Sequence, residues 1–127
     1  MIVVDTSAMM AIILNEPESM ACSAALKAED DVLISAGTMA ELGIVAARRG
    51  VRSELADLIE SLVFEVVTVT AASARRMNQA YDRWGRGMHP ASLNFGDCFA
   101  YELAKTRGCR LLYIGNDFSK TDIESVL

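Results

Sequence analysis

Four short apolar runs rich in β-branched residues, spaced by helix-length stretches, constrain this chain more than any other feature. They are Ile2–Val4, Val32–Ser35, Phe64–Val69 and Leu111–Ile114. Apolar runs of this length, without polar alternation, suit strands buried on both faces. Parallel pairing requires a crossover of a dozen or more residues, and the intervening segments supply it with helical periodicity. Asp5-Thr6-Ser7 offers N-cap chemistry for a helix over Ala8–Leu14, and Pro17 suits the first turn of a second helix reaching about Lys27. From Thr38, the residues Met39, Leu42, Ile44, Val45 and Ala46 form an apolar face that Arg48-Arg49-Gly50 closes. Further helices are expected over Arg52–Leu62 and Ala71–Trp84, and from Gly96-Asp97 to Arg107, where Gly108 supplies a C-cap. A short edge strand near Val126 would complete the pattern. The expectation is an α/β fold with a parallel sheet of four or five strands in one domain over residues 1–127.

Composition narrows the class. A hydrophobic fraction of 52% and a mean hydropathy of +0.25 suit a fully covered sheet, or a surface buried in a partner. No apolar run approaches the roughly 20 residues needed to span a bilayer. The N-terminal MIVVDTSAMMAIIL lacks a basic start and a small-residue cleavage site, so a cytoplasmic protein without membrane contact is expected. Cys22, Cys98 and Cys109 lack zinc-type spacing and read as reduced core thiols. Twelve basic residues against seventeen acidic ones give a net charge of −5, which argues against nucleic-acid binding by bulk electrostatics. The objection weakens if four acids are metal ligands, because thirteen acids then remain against twelve bases and a cation sits where a phosphate must lie.

Four carboxylates carry the chemistry. In open α/β sheets, ligands collect beyond the carboxyl ends of the strands. Asp5 stands just past the first strand and Asp117 three residues past the fourth. Asp97 begins a helix that must start at the same edge, and Glu41 lies about a turn into the helix after the second strand. Taken singly, Asp5 and Asp97 read equally well as helix caps, and Asp117 as an Asx turn. Glu41 sits in TMAELGIV, among apolar residues, where an unpaired carboxylate is costly. Gathered at one edge, four carboxylates repel one another unless a cation relieves them. Hard oxygen donors in that number suit Mg2+ or Mn2+ and point to phosphoryl chemistry.

Four segments carry a family likeness: VVDTSA, SAGTMAELGIV, GMHPASLNFGDCFAYELAK and LLYIGNDFSKTDI. Across essentially the whole chain, the sequence resembles the PIN-domain ribonuclease toxins of VapBC toxin–antitoxin systems. That resemblance implies a three-layer α/β/α sandwich and a Mg2+- or Mn2+-dependent endoribonuclease that inhibits translation. It also implies an RNA substrate such as tRNA or rRNA, a VapB-type antitoxin and a toxin homodimer. Asp5, Glu41, Asp97 and Asp117 match the family's acidic metal-site positions. Thr6 and Ser7 match the polar pair after the first aspartate, with Asn116 as a further supporting residue. Gly115 stands where many members carry the threonine of a Thr-x-Asp motif, so the hydroxyl of that position is missing here. Asp122 reads either as a support to the site or as a helix cap. His89, the sole histidine, reads as a substrate contact or a loop element in preference to a base. Arg83, Trp84 and Arg86 read equally as an RNA contact and as a solvated helix end with one packed tryptophan.

Other acidic α/β proteins fit less well. A phosphoacceptor receiver requires an aspartate ending the third strand, and Val66-Val67-Thr68-Val69 stands there. A haloacid-dehalogenase-type phosphatase requires an aspartate at the position Ser7 holds, and no glycine-rich nucleotide loop is present. The remaining alternative is a catalytically silent PIN-like module that binds RNA or protein. In-line attack of water on a phosphodiester, leaving 5′-phosphate and 3′-hydroxyl ends, is the expected reaction.

Overall fold

The computed structural model describes residues 1–127. Its strands β1 (Ile2–Val4), β2 (Val32–Ser35), β3 (Phe64–Val67) and β4 (Arg110–Leu112) form one parallel sheet in the order β3-β2-β1-β4. Six helices connect them: α1 (Thr6–Ile13), α2 (Ser19–Ala28), α3 (Ala36–Arg49), α4 (Arg52–Ser61), α5 (Ala71–Trp84) and α6 (Phe95–Arg107). A 3-10 turn over Phe118–Lys120 follows β4.

The pleat sorts the strand side chains onto two faces. Val3, Leu33 and Leu111 are fully buried against α5 and α6. Ile2, Val4, Ile34 and Leu112 point the other way, into a core built with α1, α2, α3 and α4. This is a three-layer α/β/α sandwich; the central strands β1 and β2 are buried on both faces and carry no polar alternation, whereas the edge strand β3 leaves Glu65 and Val66 exposed. No helix is long and apolar enough to cross a membrane.

Local chemistry sets the helix ends. Gly50 and Gly108 take left-handed conformations at the ends of α3 and α6, where a Cβ would be strained. Thr70 and Ser73 form a reciprocal capping box on α5. Several boundaries differ from expectation, among them the start of α3 at Ala36 and the end of β3 at Val67. The first helix begins at Thr6, directly on its Asp5 cap. Pro17 lies in the turn ahead of α2, which starts at Ser19. β4 ends at Leu112 because the Ile114 N–H turns away to Ser7 Oγ at 3.0 Å. The expected tail strand is reduced to a single bridge between Leu111 and Ser125.

Two features of this layout position a site. The chain builds β1, β2 and β3 outward in one direction, then returns to lay β4 on the far side of β1. The strand order therefore reverses between β1 and β4, and the carboxyl edge at such a reversal is where open α/β sheets bind their ligands. Helices α3 and α6 also cross closely, since a methyl group on Gly37 would overlap the Phe99 ring. Gly43, further along α3, has open space around its Cα. Gly43→Ala should therefore stabilise the fold by about 0.5–1 kcal/mol through helix propensity. Gly37→Ala should instead cost about 1–3 kcal/mol through overpacking, and urea denaturation of the two variants separates these outcomes.

Candidate active site at the carboxyl edge of the sheet

Asp5 is the innermost acid, only 4% exposed. Its backbone N–H donates to the Leu112 carbonyl, and its side chain caps α1. Oδ2 accepts from the Ser7 N–H at 3.0 Å and from Ser7 Oγ at 2.6 Å. Burial pushes this carboxyl above its ordinary range and the charge of Glu41 adds to the rise, while the Ser7 hydrogen bonds partly offset it. Ser7 Oγ also accepts from the Ile114 N–H, so one hydroxyl joins the start of α1 to the segment leaving β4.

Glu41 reaches the same edge from α3. Thr6 Oγ1 donates to its Oε1 at 2.6 Å, while Oε2 rests against the backbone of Gly96. Any side chain at position 96 would occupy the space of that carboxylate. Gly96 lies in the first turn of α6, where the helix dipole favours a negative charge. Asp97 follows it and closes a capping box: the Asp97 N–H donates to Asn94 Oδ1 and the Asn94 N–H to Asp97 Oδ2, both at 2.9 Å. Asp117 is exposed and stands at the head of the 3-10 turn after β4, where its side chain makes no capping hydrogen bond.

The charges of the other three acids bear on Asp97. Desolvation raises that carboxyl to about 7; the Asn94 hydrogen bond opposes the rise, and the charges of Asp5, Asp117 and Glu41 reinforce it. The expected carboxylates thus share one edge, although no three of them converge into a finished cation cage. Their chemistry suits a hard divalent cation. Asp5, Glu41 and Asp97 are each gripped through one oxygen by a neighbouring donor, which orients the other oxygen for a further partner.

Residues expected at the margin fall differently. Thr6 and Ser7 belong to the acidic network. Asn116 is exposed, and its backbone carbonyl, not its side chain, is engaged, by Ser119 Oγ. His89 Nδ1 accepts from the Ala91 N–H at 3.0 Å while the ring packs edge-on against Trp84, so this histidine holds the loop. Arg83 stacks over the Trp84 ring and lies 3.6 Å from Asp122, whereas Arg86 is exposed and unpaired. The expectations singled out neither Gly96 as the seat of Glu41 nor Tyr101 as a partner of Asp122. A glycine inside a helical turn was the available signal for the first. The second pairing spans 21 residues and leaves no local trace.

Comparison with known proteins agrees with this layout. The PIN domain family matches residues 2–124. The chain is 44% identical to the ribonuclease VapC28 of Mycobacterium tuberculosis, over 98% of its own length and 97% of that protein's. It is 39% identical to the ribonuclease VapC30 of the same organism, with the same coverage. Among solved structures, the sarcin–ricin loop cleaving toxin VapC20 of Mycobacterium tuberculosis superposes with a TM-score of 0.79 at 19% identity, covering 99% of this chain and 98% of that one. A toxin–antitoxin complex from Klebsiella pneumoniae contains a chain with a TM-score of 0.71 at 16% identity, covering 96% and 93%. At such identities these two structures speak for the fold.

The titration of Asp97 gives a stability signature. Its folded pKa of about 7 lies above the ordinary 3.8, so the folded state holds the proton more tightly. The resulting stabilisation is complete below about pH 4 and is lost as pH rises through about 7. In chelator, the melting temperature of the native protein should fall between pH 5 and pH 8 by more than that of Asp97→Asn. Equal falls would show that Asp97 titrates normally.

Proposed function

The chain belongs to the VapC family of PIN-domain proteins, and from that premise we propose that it is a toxin–antitoxin ribonuclease using Mg2+ or Mn2+. The cation would be held by Asp5, Asp97, Glu41 and Asp117. The observation that carries this reading is that Asp5, Glu41 and Asp97 lie at one edge of the sheet, each with one carboxylate oxygen held by a neighbouring donor, and that their charges bear on one another. Such a cluster suits a divalent partner better than a set of protons. When bound, that cation supplies Lewis acidity toward water and toward the scissile phosphate.

The chain's own residues would supply the geometry. Thr6 and Ser7 hold Glu41 and Asp5 in fixed orientations, and the Asn94 capping box does the same for Asp97. Ser7 also ties down the start of the segment that brings in Asp117. Arg86, exposed at the mouth of the loop before α6, offers charge to the RNA backbone, and Arg83 can join it. His89 shapes that loop and leaves acid–base work to the carboxylate edge. A folded RNA, such as a tRNA or an rRNA hairpin, is the substrate class, and its cleavage would inhibit translation.

The partners follow from the same surface. Phe95 is 75% exposed between two apolar grooves of about 310 and 400 Å³, and Ile44 at 59% exposure extends the patch. A knob and grooves on one face suit a second copy of the chain, so a homodimer forms beside the acidic edge. A VapB-type antitoxin is the further partner, by kinship with toxins of this family.

Two experiments test the reading. With structured RNA and Mn2+, the native protein should leave 5′-phosphate ends, while chelator, Asp5→Asn and Asp97→Asn should each lower the rate by at least about a hundredfold. Cleavage of equal rate in all samples would mark a contaminant, and no cleavage in any would favour the silent binding module. Phe95→Glu should convert a dimer into a monomer in light scattering while circular dichroism shows the fold retained. A native protein already monomeric would remove the dimer from the proposal.

A further inference from the structure

Asp117 occupies the least secured backbone of the four acids. It lies between Leu112, where β4 ends, and a tail with one 3-10 turn. Residues 115–117 are exposed, and Gly115 takes φ +108°. A carboxylate on such a segment contributes to a site only if something fixes the segment.

Three anchors do so. At its start, the Ile114 N–H donates to Ser7 Oγ. In its middle, Phe118 is buried to 2% exposure against Tyr113, with ring centroids 5.1 Å apart. The third anchor is polar. Asp122 Oδ1 accepts from Tyr101 Oη at 2.6 Å, and Oδ2 accepts from Lys105 Nζ at 3.1 Å with Arg83 at 3.6 Å. Tyr101 Oη in turn accepts from Trp84 Nε1 at 2.9 Å. Trp84 and Tyr101 are buried, so the bond between them lies where a lost partner is not replaced by water, while the Asp122 end of the chain is part-exposed. Tyr101 also sits one helical turn beyond Asp97 on α6. The clasp therefore ties the Asp117 segment to the helix that carries Asp97.

We propose that Tyr101 and Asp122 are positioning residues for Asp117, acting through the clasp that locks the segment after β4 onto α5 and α6. The proposal rests on the reading of Asp117 as a cation ligand. Burial and the Asp122 hydrogen bond push the Tyr101 hydroxyl up to about 12. Asp122 itself is held below its usual range, because the bonds from Tyr101 and Lys105 overcome its desolvation. Both directions agree with a clasp formed by a neutral tyrosine and a charged aspartate.

The test is a set of double-mutant cycles read by calorimetric Mn2+ binding, with amide exchange of the metal-free protein beside it. Tyr101→Phe keeps the packing and deletes the junction hydroxyl. It should weaken Mn2+ binding about tenfold in the native and Glu41→Gln backgrounds, and less than about twofold when Asp117 is already Asn. The Lys120 and Thr121 amides, bonded to the Asp117 and Phe118 carbonyls, should exchange faster, while α3 amides stay unchanged. Asp122→Asn can still accept from Tyr101 and should show a smaller loss in the same pattern; it decides the question if Tyr101→Phe fails to fold. A merely structural clasp would lower the melting temperature and leave Mn2+ affinity intact. That result, or an equal loss in the Asp117→Asn background, overturns the proposal. If the native protein binds no Mn2+, the cation reading falls instead. The clasp is then judged on exchange alone, and unchanged Lys120 and Thr121 amides refute it.

Discussion

Repulsion among like charges in a poorly solvated place is the constraint on which the rest of this structure depends. Asp5 is buried where β1 ends, and the charges of Glu41 and Asp117 as well as Asp5 bear on Asp97. A fold has little reason to assemble such a cluster for stability, since each desolvated carboxylate costs free energy. The neighbouring chemistry is arranged to tolerate it. Ser7 and Thr6 donate to two of the acids, and the N-termini of α1 and α6 present partial positive charge to the edge. Bare Cα atoms at Gly37 and Gly96 let α3 and α6 approach closely enough to seat Glu41 beside Asp97.

Topology makes that concentration possible. Because β4 is laid on the opposite side of β1 from β2, the segments after β1 and β4 leave the sheet side by side at the reversal of strand order, where open α/β sheets bind their ligands. Asp5 and Asp117 follow those two strands, while Glu41 and Asp97 enter from helices on opposite layers of the sandwich. The site thus draws on both helical layers through a sheet of only short strands. On the proposed reading, a cation would also offset the acidic charge where a phosphate binds, and Arg83 at the end of α5 and Arg86 in the loop beyond it would add positive charge for an RNA backbone.

Much of this was legible in the sequence, for identifiable reasons. The β2 and α5 boundaries match the residues expected, because β-branched content and cap residues mark them locally. Gly50 and Gly108 announce helix ends by a conformation few other residues adopt. Strand order alone placed the four acids at one edge of the sheet, but not how closely they approach, and no three of them close into a cation cage. What escaped was non-local. The retreat of β4 to Leu112 depends on Ser7, 107 residues away, claiming the Ile114 N–H. Gly96 matters because of Glu41 on another helix, and Tyr101 because of Asp122 on the tail. His89 is held by Ala91 and Trp84, a loop role that its residue type does not disclose.

The most direct measurement of the cation site is anomalous diffraction from crystals equilibrated with Mn2+. A divalent ion bound as described should give a peak about 2.1–2.2 Å from carboxylate oxygens of Asp5 and Asp97, with Glu41 and Asp117 within reach directly or through water. The same peak should vanish in Asp97→Asn. A map with no peak at this edge, or with Mn2+ bound only elsewhere on the surface, would contradict the four-carboxylate site.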